Sequence, residues 1–292
     1  MKPSWLKRVG YTLVVVSIVS LGAIFWPKTG ALSPWSPGRI IDDDVFYDTN
    51  TFSSVQDIQN FINSHTPACD TWGTGPSEYG GGTRAQYAAK RGWHGPPYVC
   101  LRDYHENPST KETSFERGGG WFAGGLSVAN IIWNVSKEFG INPQVMLVTL
   151  KKEQGSLFTD VWPLKSQYKY AMGFACPDSG PGNTANCSNE YAGMYNQLRM
   201  AARQFRLYTN RPGEYRYKAG RSNYIQYNTN PACGGSWVYI ENQATANLYN
   251  YTPYQPNQGA LNAYPGTAHC GAYGNRNFWR FFNEWFGSPL KS

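Results

Sequence analysis

The sequence predicts a mainly helical α+β fold with long loops and short strands, and three observations carry that prediction. Apolar residues recur at helical spacing from Leu126 to Gln154, from Tyr191 to Tyr208 and from Arg276 to Phe286. Tyrosine-rich alternation within 213–240 (EYRYK, YIQYN, WVYI) has the period of short strands. Six cysteines beside 31 glycines and 19 prolines indicate a loop framework held by disulfides. With 41% hydrophobic and only 15% charged residues in a chain of 292, disorder is excluded and a large core is affordable.

Taken in chain order, residues 1–8 (MKPSWLKR) carry three positive charges, and Val9 to Trp26 carry none. That run spans roughly 27 Å as a helix, close to the hydrocarbon thickness of a bilayer. Basic residues in front keep residues 1–8 cytoplasmic and place everything after Lys28 outside the membrane. Two readings of 9–26 stay open, an uncleaved transmembrane anchor and a signal peptide. The small residues Ala31-Leu32-Ser33 suit cleavage, while Pro34 would hinder it. Residues 27–44 read as a Pro/Gly linker with a terminal acidic run. Residues 45–120 read as a loop-rich region with one short helix, started by a Ser53/Gln56 capping box and carrying Val55, Ile58, Phe61 and Ile62 on one face. Residues 121–292 form the main helical domain.

Cys69, Cys100, Cys176, Cys187, Cys233 and Cys270 all lie in the exported part, as an oxidising compartment requires. Six cysteines allow fifteen pairings. Neighbour pairing, 69–100, 176–187 and 233–270, is the simplest. Without a Cys-x-x-Cys and with scattered histidines, no metal site is expected, and no cofactor motif occurs. The formal charge of +7 includes Lys2, Lys7, Arg8 and Lys28; beyond residue 28 the 22 basic and 19 acidic residues leave +3. That is too mild to expect nucleic acid as a partner.

Ser127 can cap a helix through Phe139 that Gly140 ends. Asn142 can cap the next helix, with Pro143 in its first turn. Five of six residues from Val145 to Leu150 are apolar, so this helix is expected to be buried on nearly every side, yet it closes on Glu153. Glu153 shares a face with Met146 and Leu150, while Lys151 and Lys152 should point elsewhere. Burial and the negative helix end both disfavour a charged carboxylate there. The expectation is a carboxylic acid in a dry niche, able to donate a proton to a glycosidic oxygen. Gly155 then leaves room for a substrate.

GINPQVMLVTLKKEQG resembles the catalytic helix of lytic transglycosylases and goose-type lysozymes, a lysozyme-like superfamily. The resemblance implies a lysozyme-like helical domain over 121–292 that cuts peptidoglycan glycan strands with Glu153 as general acid/base. It implies that Tyr170, Met172, Gly173 and Phe174 form a turn lining the sugar cleft, backed by a helix led by Asn196. Residues 140–287 also resemble a domain of haemagglutinin-related exported proteins of Gram-positive envelopes, through AARQFRLY, NQATANLYNYTPYQPN and AYGNRNFWRFFNEWFG. The chain departs from the transglycosylase pattern at Gln154, where a serine is usual, and at Phe174-Ala175-Cys176, where Met-Gln is typical. An inverting hydrolase needs a second carboxylate about 6.5–9.5 Å from the acid; Asp178 is the first candidate, with Asp160 and Glu190 as others. Without one, internal attack by the muramic acid hydroxyl releases the product.

Two rival classes remain. A non-catalytic surface glycan-binding or adhesin module would use Trp72, Trp93, Trp121, Tyr249, Tyr251 and Tyr254, which sit among loop-forming residues. A cysteine-nucleophile enzyme would use His269-Cys270, but requires a free thiol. The aromatic stripe Phe278, Phe281, Phe282, Trp285 and Phe286 reads as a helix docked on the core. The expected partners are peptidoglycan strands and, through the N-terminal segment, the membrane, at the outer face of the cell membrane or in the wall.

Overall fold

Side-chain caps set the helix starts. In the computed structural model, which describes residues 32–107, 125–177 and 179–291, Ser127 accepts from the Asn130 amide and opens a helix that ends on Gly140 at φ 62°. Asn142 accepts from the Gln144 amide at 2.7 Å and opens the next one. The helices are α1 (Asp43–Phe46), α2 (Val55–His65), α3 (Arg84–Lys90), α4 (Val128–Phe139), α5 (Pro143–Glu153), α6 (Lys165–Lys169), α7 (Met194–Asn210), α8 (Gln243–Tyr251), α9 (Gln258–Asn262) and α10 (Gly274–Phe286). Two antiparallel pairs complete the α+β architecture: β1 (His105–Glu106) with β2 (Leu126–Ser127), and β3 (Arg221–Gln226) with β4 (Gly235–Ile240).

α5 is the central element, packed against α4, α7 and α10. Pro143 and every residue from Val145 to Leu150 are buried, as the apolar run predicts. Even Thr149 is enclosed, its hydroxyl satisfied by the Val145 carbonyl at 2.7 Å. α10 lies on it through Phe278 and Phe282, both buried, while Trp285 meets Phe61 and Phe158. The aromatic stripe therefore packs the core.

The cysteines pair as neighbours, Cys69–Cys100, Cys176–Cys187 and Cys233–Cys270. All six are bridged, so Cys270 has no free thiol and the cysteine-nucleophile reading loses its nucleophile. The Cys176–Cys187 loop, closed over an interval of 11 residues, gains roughly 3 kcal/mol in the loop-entropy picture.

The structure corrects several expectations. Residues 32–44 are no spacer: Ile40 and Ile41 are fully enclosed in the main core, and the Ile40 amide donates to Thr245 Oγ1 at 3.0 Å. Between 45 and 120 there is a second sizeable helix, α3, started by a Thr83/Gln86 capping box, and Ile58, Ile62 and Leu101 join the same core as the later helices. The cap of α2 is Ser54, not Ser53. Tyr249 and Tyr251 are not on loops; both belong to α8. The segment read as an anchor, 9–26, lies outside the described residues, as do Trp121 and Asp178. Among the described residues no helix is long and apolar enough to cross a membrane.

Because Ile41 is buried with the central helices, Ile41→Ala is expected to cost roughly 2–4 kcal/mol of stability, measured by urea denaturation. A spacer residue would change the midpoint within about 0.5 kcal/mol, and that outcome would contradict this packing.

Candidate active site

Glu153 is the last residue of α5, and the chain leaves the helix through Gln154 and a 3-10 turn over Gly155–Phe158. Its carboxylate faces an open cleft of about 680 Å³ whose walls are Met172 to Cys176, Gln204 and Tyr208 of α7, and Tyr251 to Tyr254. Of the residues expected to bind substrate, Met172, Gly173 and Phe174 line this cleft with Glu153. Tyr170 does not: its hydroxyl turns to Asn189 Oδ1 at 2.7 Å. Asn196 does not either, since its amide donates to the Ala192 carbonyl one turn back. The correction has a simple cause. Both side chains found local polar partners outside the cleft.

A buried amide organises the first wall. Gln197 is fully enclosed. Its Oε1 accepts from the amides of Met172 (3.2 Å) and Phe174 (3.1 Å), and its Nε2 donates to the carbonyls of Phe174 (3.1 Å) and Tyr191 (2.8 Å). An irregular turn carries backbone groups that must find partners when buried, and one glutamine satisfies three of them together with the Tyr191 carbonyl. The Tyr251 hydroxyl donates to the Met172 carbonyl at 2.8 Å, and its ring stacks on Phe205 at 4.8 Å. Burial first, and the Glu153 charge second, raise the Tyr251 phenol well above its ordinary value, so it remains a donor. Gly173 has φ 64°, and a Cβ built there would lie 3.9 Å from Glu153 Oε2. Any other residue would be strained and would aim its side chain at the carboxylate. Asn275 holds the opposite wall, donating to the carbonyls of Thr252 and Tyr254, each at 2.9 Å.

The electrostatics differ from the expectation. Glu153 retains 28% of its side-chain exposure and pairs with Lys152 Nζ at 2.5 Å. It is an ion-paired carboxyl at a cleft wall rather than an acid in a dry niche. Lys152 is itself only 6% exposed; its ammonium donates to Thr252 Oγ1 at 2.7 Å and lies 4.9 Å from the Tyr251 ring centre. The side chain is long enough to bend back over its own helix end, which angular position alone does not reveal. Lys151 does point away, over Phe158 and Phe281, and burial lowers its ammonium.

No second carboxylate lines the cleft among the described residues. Asp160 is used locally, accepting from the Trp162 amide at 2.9 Å, and Glu190 lies in an exposed turn. No group of three or more His, Cys, Asp or Glu side chains among the described residues could hold a metal ion.

One buried acid escaped sequence reasoning. Glu106 of β1 is 1% exposed and accepts from the Tyr195 amide at 3.1 Å and the Tyr104 hydroxyl at 3.3 Å. It caps the start of α7, where Gly193 offers no side chain. Burial outweighs these hydrogen bonds and pushes the Glu106 carboxyl up to about 7. No local pattern marks it, because the partner helix begins nearly ninety positions later. Gln197, by contrast, left a trace: it is a polar residue in register with Met194, Leu198, Ala201 and Phe205 on the buried face of its helix.

The raised carboxyl has a definite consequence for stability. Unfolded Glu106 ionises near its ordinary 4.5 while the folded one keeps its proton to about 7. The contribution is therefore complete below pH 4.5 and is lost as pH rises through 7, by up to roughly 3 kcal/mol. Glu106→Gln, which resembles the neutral acid, is expected to remove this loss, so that the variant gains on wild type between pH 5 and pH 8 in denaturant titrations. Parallel stability curves for the two proteins would contradict it.

Compared with known protein families, with curated proteins and with solved structures, the chain matches none of them.

Proposed function

We propose that the protein cleaves the glycan strands of peptidoglycan, as a muramidase or lytic transglycosylase with a lysozyme-like catalytic domain and Glu153 as general acid/base. The observation that carries this reading is the placement of Glu153. A carboxyl ends the buried central helix and opens onto a cleft of about 680 Å³, with Gly173 and Phe174 on one side and Tyr251 to Tyr254 on the other. Open clefts walled by aromatic residues and glycine accept sugar rings, whose apolar faces stack on aromatic ones. The resemblance of GINPQVMLVTLKKEQG to a transglycosylase catalytic helix agrees with it.

The chemistry follows from the pair. Bond breaking requires a proton on Glu153, whose carboxyl is ion-paired with Lys152 in the free protein; that proton passes to the bridging oxygen as the glycosidic bond breaks, and negative charge develops on the carboxyl. Lys152, held by Thr252 and the Tyr251 ring, sits where that charge appears and offsets it without reorganising. The resulting carboxylate then takes a proton from the muramic acid's own hydroxyl as that group attacks internally, whereas attack by water calls on a second carboxylate as base. Gln154 and Ser156 lie close together at the helix end, 3.3 Å apart through their polar atoms, and no positioning serine follows Glu153. The three disulfides fit an extracytoplasmic setting, with the N-terminal segment as membrane anchor or signal.

The alternative, a non-catalytic glycan-binding surface module, draws on Trp72 and Trp93, which stay exposed. A zymogram separates the two: clearing of embedded peptidoglycan marks an enzyme, retention without clearing a binder.

Glu153→Gln is expected to reduce wall cleavage by at least a hundredfold while leaving folding and secretion intact. Full lytic activity in the purified variant would end the enzyme reading. Mass spectrometry of the released muropeptides distinguishes the routes, anhydro ends marking internal attack and reducing ends marking water, with Asp178 the first candidate to activate it.

A further inference from the structure

The β3–β4 hairpin has two unlike faces. Asn223, Ile225, Val238 and Ile240 are buried against the core, whereas Tyr224, Trp237 and Tyr239 point outward and are 41%, 72% and 58% exposed. Tyr224 stands opposite Trp237, and Ser222 opposite Tyr239. The Tyr224 and Trp237 rings meet edge to face at 5.7 Å. A cross-strand pair of this kind stabilises a hairpin, but it does not require ring faces this open. Ser222 and Gln226 border the rings on the same face, so hydrogen-bonding groups flank an aromatic surface.

This face continues into the cleft. Gln226 is bridged in parallel to Tyr254, a cleft-wall residue. The Gln255 amide donates to the Gln226 carbonyl at 3.0 Å, and its side chain donates to the Ile225 carbonyl and to Ser236 Oγ. Bridged residues project to the same side of a sheet, because side chains alternate with period two along each strand. Tyr254 therefore stands in one row with Gln226, and Tyr224 and Trp237 form the next row, about 7 Å further along. The bridge thus joins a cleft-wall residue directly to the strand that carries Tyr224.

We propose that the outer face of the β3–β4 hairpin is a glycan-binding platform continuous with the cleft, holding sugars of the strand beyond the bond that is cut. It rests on the reading of the cleft as a glycan-cleaving site. The occupant is a polysaccharide because the surface combines open ring faces, which stack on the apolar side of pyranose rings, with uncharged hydroxyl and amide groups that bond their hydroxyls.

The test uses the full chain carrying Glu153→Gln, so that substrate persists, sedimented with purified insoluble peptidoglycan. Adding Trp237→Ala with Tyr239→Ala is expected to weaken binding about tenfold, Trp237→Phe to restore most of it, and Trp72→Ala, an exposed ring elsewhere, to leave it unchanged. In the chain with Glu153 intact, Trp237→Ala is expected to leave turnover of short soluble muropeptides unaltered while slowing attack on intact wall. Full binding by the doubly substituted hairpin, or equal loss in Trp72→Ala, overturns the platform even if wall cleavage persists. Binding that depends on Trp237 in a protein that cleaves nothing upholds the platform and removes the cleavage reading instead.

Discussion

The site depends on a single enclosed amide. Gln197 holds the Met172–Phe174 turn by three hydrogen bonds and the Tyr191 carbonyl by a fourth. Buried backbone groups without partners would cost about 1–3 kcal/mol each, so this turn can lie against the central helix only while that side chain is present. Its position brings Gly173 to the carboxyl of Glu153 and sets Phe174 as one wall. Tyr251 repeats the constraint from the other side by bonding the Met172 carbonyl. The cleft is thus built of irregular backbone clamped by buried polar side chains, which suits a site that must hold shape while remaining open.

The same arrangement accounts for the charge. A carboxyl that gives up a proton must have its resulting charge met without delay, and Lys152 is already immobilised beside it by Thr252 and the Tyr251 ring. Asn275 fixes Thr252 through its carbonyl, so the start of α10 helps to place the ammonium. Elements far apart in the chain, α5, α8 and α10, meet at one pair of atoms. That is where the proposed chemistry sits.

Much of the fold was legible in the sequence, and the reason is local. Ser127, Gly140, Asn142 and Pro143 act on their immediate neighbours, so the bounds of α4 and α5 could be read from residue types. The apolar run of α5 likewise stated its burial. What failed to appear depended on distant partners. Ile40 and Ile41 lie in a Pro/Gly-rich stretch with no periodicity, and they are buried because Thr245 and the α8 region receive them. Glu106 is enclosed by a helix that starts far downstream. At the site, Glu153 and the Met172–Phe174 turn were visible in the residues, whereas Tyr170 and Asn196 turned out to serve nearby backbone and side-chain groups. The Lys152 contact was missed because helical spacing fixes where a side chain starts and not where a flexible one ends.

The central claim is that Glu153 faces the scissile bond of a bound glycan. A crystal structure of the Glu153→Gln protein with a peptidoglycan tetrasaccharide tests it most directly. The account expects sugars along the cleft between Phe174 and Tyr254, with a glycosidic oxygen within hydrogen-bond distance, about 3 Å, of the residue 153 side chain. A saccharide seated only elsewhere on the surface, with residue 153 still turned to Lys152 in an empty cleft, would contradict it.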